Sequence, residues 1–208
     1  REILKVLWKY RHPVGIITKN SMVLRDLDLL QPMAENRLLR VSISLTTLNE
    51  KLRRLLEPRT ASVKARLKTI EVLAEKGVPV NVMMAPIIPG LNDHEILEVG
   101  QRVSSLGAVS MAYTMVRLNG DVAAIFEDWI RKTMPDRADR VLNRIRDVHG
   151  GELNDSRFGT RMRGEGQFAE VVKQQFQLAR QQYFADKVKP DYNLDLFEQR
   201  RNPQMSLF

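Results

Sequence analysis

Between Arg40 and Asp93 the spacing of the apolar positions changes twice. Val41, Ile43 and Leu45 alternate with Ser42, Ser44 and Thr46, the period of a strand with apolar groups on one face and a column of hydroxyls on the other. Parallel strands buried on both faces read as continuous apolar runs, so the hydroxyl column predicts a face that lines a polar cavity. Val63, Leu67, Ile70 and Ala74 then form a helical stripe, with Lys64, Arg66, Lys68, Glu71 and Glu75 off it. Thr60 is the expected cap after Pro58, and Gly77 with Pro79 the expected stop. A second strand, Val80 to Ala85, leads into a loop stiffened by Pro86 and Pro89. Strand, helix, strand in this order predicts a parallel pair with a right-handed crossover.

The same reading extends outward in both directions. Ile3, Leu4, Leu7 and Trp8 have helical spacing, and Pro13 to Asn20 reads as a short buried strand. Lys19 and Asn20 fall at its carboxyl end, where ligand sites of parallel sheets lie, although a surface lysine opening a loop has the same pattern. Leu24, Leu27, Leu29 and Leu30 predict a short packing helix. Asn92 and Glu95 have the spacing of a capping box ahead of a helix through Ile96, Val99, Val103 and Leu106 to Gly107. In the next strand, Val109 to Val116, the set Met111, Tyr113, Met115 and Arg117 faces either a cavity or plain core. From Gly120 the pattern is helical only, with stripes over Val122 to Ile130 and Ala138 to Val148, then a long helix from about Glu165 to Ala185. The expected organisation is α/β, mainly parallel over 1–119, helical and packed on that unit over 120–188, with a flexible tail over 189–208.

Composition narrows the chemistry. The 208 residues suffice for one substantial core, and no apolar run approaches the ~20 residues of a spanning helix. A net charge of +8 suits an anionic partner such as DNA, or ordinary solvated helix faces. The absence of cysteine excludes disulfides and thiolate metal sites in this sequence. His12, His94 and His149 match no ligand spacing and read as surface or capping residues. Arg157, Arg161 and Arg163 lie among glycines in a loop, an arrangement suited to nucleic-acid or substrate phosphate and equally to salt bridges with acidic helices. The first residue is Arg1 rather than Met, and nothing there reads as a signal or transit peptide, so a fragment or processed product of a cytoplasmic protein is expected.

The segments ITKN, RVSIS, LEPRTASVKARL and MAPIIPGLND, in this order, with DSRFGTRMRGEGQFAE later, resemble the radical S-adenosylmethionine (SAM) superfamily. More narrowly they resemble the bacterial branch that contains spore photoproduct lyase and DNA-repair-photolyase-like proteins. The likeness runs from about Pro13 to Arg180. It implies a partial (β/α) barrel, SAM as cofactor and a [4Fe-4S] cluster on three cysteines. Together these generate a 5'-deoxyadenosyl radical for hydrogen abstraction, in a lyase-like DNA-repair reaction. Carried over by position, Lys19 would pair with the SAM carboxylate and Ser42 would hydrogen-bond the same moiety, with Ser44 and Thr46 sharing its parity. Glu57 and Arg59 would lie near cofactor or substrate, or form a local ion pair at the helix start, and the backbone around Ala85, Pro86 and Ile87 would pack on adenine.

The C-x3-C-x2-C motif of the family is absent, so the polypeptide is expected to be inactive alone and its first strand to be an unpaired sheet edge. The terminal Gln204-Met205-Ser206-Leu207-Phe208 resembles the peptide by which bacterial repair proteins bind the sliding clamp, with Gln204, Leu207 and Phe208 as its anchors and a weaker copy at Leu194 to Phe197. A non-enzymatic DNA- or clamp-binding module is therefore the alternative reading. An unrelated (β/α) enzyme binding a phosphorylated small molecule would need a glycine-rich phosphate loop, and none is present.

Overall fold

The computed structural model describes residues 1–197. Among them four strands, β1 (Val14–Thr18), β2 (Leu39–Ser44), β3 (Val80–Ile87) and β4 (Ser110–Met115), lie side by side in chain order. Every neighbouring pair is parallel. Helix α1 (Glu2–Lys9) precedes the sheet, and α2 (Leu27–Glu35), α3 (Glu50–Leu56), α4 (Val63–Glu75) and α5 (Ile96–Ser105) occupy the crossovers. Helices α6 (Val122–Thr133), α7 (Pro135–Val148) and α8 (Gly166–Tyr183) follow. This is the α/β architecture of a partial (β/α) barrel followed by helices.

The two faces of the sheet differ as the alternation requires. Val41, Ile43, Val80, Val82, Met84 and Met111 are buried in one cluster with residues of α2, α4, α5 and α8. Met111 and Met115 are thus plain core. On the other face the register aligns Ile17, Ser42, Asn81 and Ser110 in one row across all four strands. The Asn81 amide donates to Ser42 Oγ at 3.2 Å and Ser110 Oγ donates to Asn81 Oδ1 at 2.8 Å. A polar ladder therefore runs across the sheet. Strand β1 is an edge rather than a buried strand, and Ile17 is 68% exposed.

Local features depart from the sequence pattern where a polar side chain finds a partner outside its own helix. The chain between β2 and α4 contains the unexpected α3, capped by Asn49. Helix α4 is capped by Ser62, whose Oγ accepts from the Ala65 N–H at 3.2 Å, while the Thr60 hydroxyl donates to the Glu57 carbonyl at 2.7 Å. Its buried stripe runs through Val63, Arg66, Ile70 and Leu73 rather than through Leu67 and Ala74. Asn92 and Glu95 form no capping box. Asn92 instead bonds the Ile88 N–H and the Thr46 and Pro86 carbonyls, and Glu95 accepts from the Thr47 hydroxyl and the Leu48 N–H. His149, expected at the surface, is 3% exposed with Nε2 2.7 Å from the Val116 carbonyl oxygen.

Within the expected flexible tail, residues 190–197 dock on the amino ends of β1 and β2. Tyr192 Oη donates to the Val14 carbonyl at 3.1 Å, the Arg40 guanidinium lies 4.3 Å from the Tyr192 ring, and the Asn193 N–H donates to the Arg37 carbonyl. Phe197 meets His12 edge-on at 4.8 Å.

Gly77 and Gly107 both adopt positive φ after their helices, at +73° and +92°. A Cβ on Gly77 would meet open space, whereas one on Gly107 would lie 2.5 Å from Ala74 Cβ. Gly77→Ala should therefore lose about 1 kcal/mol from backbone conformation alone. Gly107→Ala should lose about 2–3 kcal/mol because packing must also shift. Equal losses in urea melts would show that the Ala74 contact does not matter.

Candidate cofactor site at the carboxyl ends of the strands

The carboxyl ends of β1, β2 and β3 meet around one acidic side chain, Glu57, which ends α3 as its C-cap. One carboxylate oxygen accepts from Lys19 Nζ at 2.6 Å and from Thr46 Oγ1 at 2.7 Å, and the other accepts from the Arg66 guanidinium at 2.6 Å. Lys19 follows β1 and Thr46 follows β2. Arg66 projects from α4, so each bond ties Glu57 to a different element. Arg66 is fully buried and also donates to the Ala61 carbonyl at 3.0 Å, the Ser44 carbonyl at 2.9 Å and the Thr60 hydroxyl. Arg53 supports the same turn from below, donating to the Glu57 and Thr60 carbonyls at 3.0 and 3.2 Å and to Glu50 at 2.6 Å.

Burial raises the pKa of the Glu57 carboxyl, but the hydrogen bonds from Lys19, Thr46 and Arg66 together outweigh it and hold the group below its ordinary 4.5. Glu57 is therefore an anion at neutral pH. Its side chain is 10% exposed, whereas that of Lys19 is 39% exposed. An ammonium has three donors, and among the described residues only the bond to Glu57 is made. Lys19 can keep that bond and still present positive charge outward. Thr46 Oγ1 also lies 3.2 Å from the Ala85 carbonyl oxygen. Asn92 fastens the following loop, so the end of β3 is held as firmly as the ends of β1 and β2.

The remaining candidates are placed less alike. Ser42 lies half-buried in the polar ladder, and Ser44, 6% exposed, gives its carbonyl to Arg66. Arg59 is exposed and has no ion pair among the described residues, so it does not join Glu57. The three loop arginines do not converge. Arg157 is bound to Asp155 at 2.9 Å and to Glu165 at 2.5 Å, and the Arg161 guanidinium lies 5.8 Å from the Phe158 ring. Arg157 thus takes the salt-bridge role, and its guanidinium holds the Asp155 carboxyl far below the usual carboxylate range. Gln204, Leu207 and Phe208 lie outside the described residues. Among the described residues no group of three or more His, Asp or Glu side chains is arranged to hold a metal ion.

Residues 2–103, which carry Lys19, Ser42, Glu57 and Arg66, match the model of the radical SAM superfamily. Over this stretch the chain belongs to the radical SAM superfamily. An uncharacterised protein of Mycobacterium tuberculosis is 30% identical over 131 residues, 62% of this chain and 38% of the relative. One of Methanocaldococcus jannaschii is 26% identical over 144 residues, 69% of this chain and 52% of that protein. Among solved structures, spore photoproduct lyase complexed with dinucleoside spore photoproduct superposes with a TM-score of 0.64 at 18% identity, covering 88% of this chain and 53% of that one. That likeness establishes the shared fold. The chain spans between about a third and about half of these proteins.

The residues present fit one of the two groups that radical SAM enzymes employ. A half-exposed ammonium beside a row of hydroxyl and amide groups suits the carboxylate and amine of a methionyl moiety. The sequence contains no cysteine, so it supplies no thiolate for an iron-sulfur cluster. In a radical SAM chain the buried Arg66 is the residue that sequence reading missed. The sequence gives no signal for it, because 63, 67, 70 and 74 are all apolar whereas the stripe that is buried, 63, 66, 70 and 73, contains an arginine.

Removing Arg66 would leave Glu57 charged, nearly buried and short of one partner. Arg66→Met should destabilise the chain by about 3–5 kcal/mol in urea unfolding, and Arg66→Lys should recover only part of this because one ammonium cannot reproduce the fork. Combining Arg66→Met with Glu57→Gln should cost less than the sum of the two single changes. Glu57 also sets a pH dependence. Since its folded pKa is depressed, its contribution is fully present above about pH 4.5 and is lost as pH falls through the lower folded value. Glu57→Gln should flatten that acid limb, and an unchanged limb would show that other carboxylates set it.

Proposed function

We propose that this chain is the SAM-binding C-terminal portion of a radical SAM enzyme of the spore-photoproduct-lyase type, acting in DNA repair. The observation that carries the reading is the Lys19 ammonium, half-exposed at the carboxyl end of β1, oriented by Glu57 and set at the head of a polar sheet face. Spore photoproduct lyase has been solved with bound AdoMet and dinucleoside spore photoproduct, and its fold is shared here at a TM-score of 0.55 for that complex. The chemistry such a cofactor supplies is homolytic abstraction of a substrate hydrogen.

In this reading Lys19 holds the methionyl carboxylate, Ser42 and Ser44 border the same moiety, and Glu57 keeps the lysine extended toward the ligand. Arg66 and Thr46 fix Glu57 and are positioning residues. The cluster thiolates come from outside this sequence, so the chain alone is inactive while retaining affinity for the intact cofactor. DNA as substrate accords with the excess positive charge of +8.

Equilibrium dialysis with labelled SAM tests the assignment on this chain. Lys19→Ala should weaken binding by roughly 10- to 100-fold, the worth of a charged hydrogen bond of about 1.5–3 kcal/mol. Glu57→Gln should weaken it less. Unchanged affinity in Lys19→Ala would refute the role of Lys19, and no binding by the unaltered chain would favour a non-enzymatic DNA-binding module.

A further inference from the structure

At the edge of the sheet away from β1, β4 and α8 enclose a cavity of about 320 Å³ whose lining includes Tyr113, Phe176, Gln177, Arg163, Lys173 and Arg180. Tyr113 and Phe176 form an apolar wall, their rings stacked at 4.2 Å and 22°. Among the described residues no carboxylate lines the cavity. In this Arg163 and Arg180 differ from several other arginines of the chain. Arg66 is balanced by Glu57, Arg131 by Glu127 and Asp139, and Arg157 by Asp155 and Glu165. Arg163 has no ion pair among the described residues. Arg180 donates its Nε–H to the Met111 carbonyl at 3.1 Å, which leaves its terminal nitrogens available. Lys173 pairs with Glu170, one turn away on the exposed side of the helix, at 3.1 Å.

Two of the three cations are held by the strand itself. Arg180 is anchored on Met111 of β4, and Arg163 adjoins Met162, whose carbonyl accepts from the Met115 N–H at 2.9 Å. Two forked guanidinium groups and an ammonium around a small cavity present the many-donor, positively charged surface that a tetrahedral oxyanion requires. The Tyr113 hydroxyl makes no hydrogen bond among the described residues and is a further donor to the same space. Burial beside the Phe176 ring raises its pKa, so it remains a protonated donor at neutral pH.

We propose that this cavity binds a phosphate group, carried either by a nucleic-acid backbone or by a free phosphate. Its charge stands independently of the cofactor site; only the choice of DNA as the carrier rests on the function proposed above.

The test uses two probes on the whole chain, a short fluorescent single-stranded DNA read by anisotropy and inorganic phosphate as competitor and in calorimetry. Arg163→Glu and Lys173→Glu should each weaken DNA binding by about tenfold or more. Each should also lower the slope of log affinity against log salt by about 0.7 for every phosphate that is no longer neutralised. Lys132→Glu reverses one charge on the exposed face of α6, where Lys132 pairs with Asp128, and should change affinity by less than about twofold. DNA binding that inorganic phosphate displaces only weakly identifies the backbone as the source, and phosphate binding without DNA binding identifies free phosphate. Equal losses in all three variants would mean net charge alone acts, and no binding of either probe by the unaltered chain would likewise overturn the proposal. SAM affinity should be unchanged in Arg163→Glu, so failure of this inference and failure of the cofactor reading are told apart.

Discussion

The bond between the buried Arg66 and Glu57 is the constraint on which the carboxyl end of the sheet depends. A guanidinium removed from water must satisfy its donors, and Arg66 does so on two carbonyls, a hydroxyl and one carboxylate. Those acceptors belong to the end of β2, the turn after α3 and the loop before α4. One side chain therefore fixes three segments that sequence separation would leave independent. The carboxylate it holds in turn meets Lys19 from β1 and Thr46 from β2. Replacing the pair by apolar groups of like volume could keep the packing, but it would release the lysine.

The sheet separates two tasks between its faces. One face collects the apolar residues of four helices into a core, and the other carries amide and hydroxyl groups that bond laterally to one another. Lateral bonding matters because a half-exposed serine or asparagine in a strand has several rotamers, and a ligand that needs one of them must otherwise order it. Asn81 holds Ser42 and Ser110 in one arrangement before any ligand arrives. The firmly tied ends of β1 to β3 extend the same preorganisation to the charged groups.

Much of the architecture could be read from residue periodicity. The alternation of Val41, Ile43 and Leu45 with Ser42 and Ser44 gave both the strand and its polar face, and Gly77 and Gly107 marked the helix ends. Polar residues near the strand ends were harder. Asn92 and Glu95 have the spacing of a local cap, yet Asn92 reaches Thr46 and Glu95 reaches Thr47 and Leu48 on the loop after β2, and nothing along the chain distinguishes a local from a distant partner. Arg66 was assigned to solvent because an arginine rarely occupies a buried stripe. Lys19, Ser42 and Glu57 were found through family likeness, and structure brought Lys19 and Glu57 into contact while leaving Arg59 apart. The loop arginines show the limit of composition, since one of them is neutralised by carboxylates eight residues or fewer away.

The segment 190–197 has a geometric consequence. By crossing the amino ends of β1 and β2, with Tyr192 3.4 Å from where a Gly15 side chain would begin, it covers the end of the sheet opposite to Lys19. Phe197, beside His12, lies at that opposite pole. Described backbone thus crosses the amino pole of β1 and β2, the pole opposite Lys19.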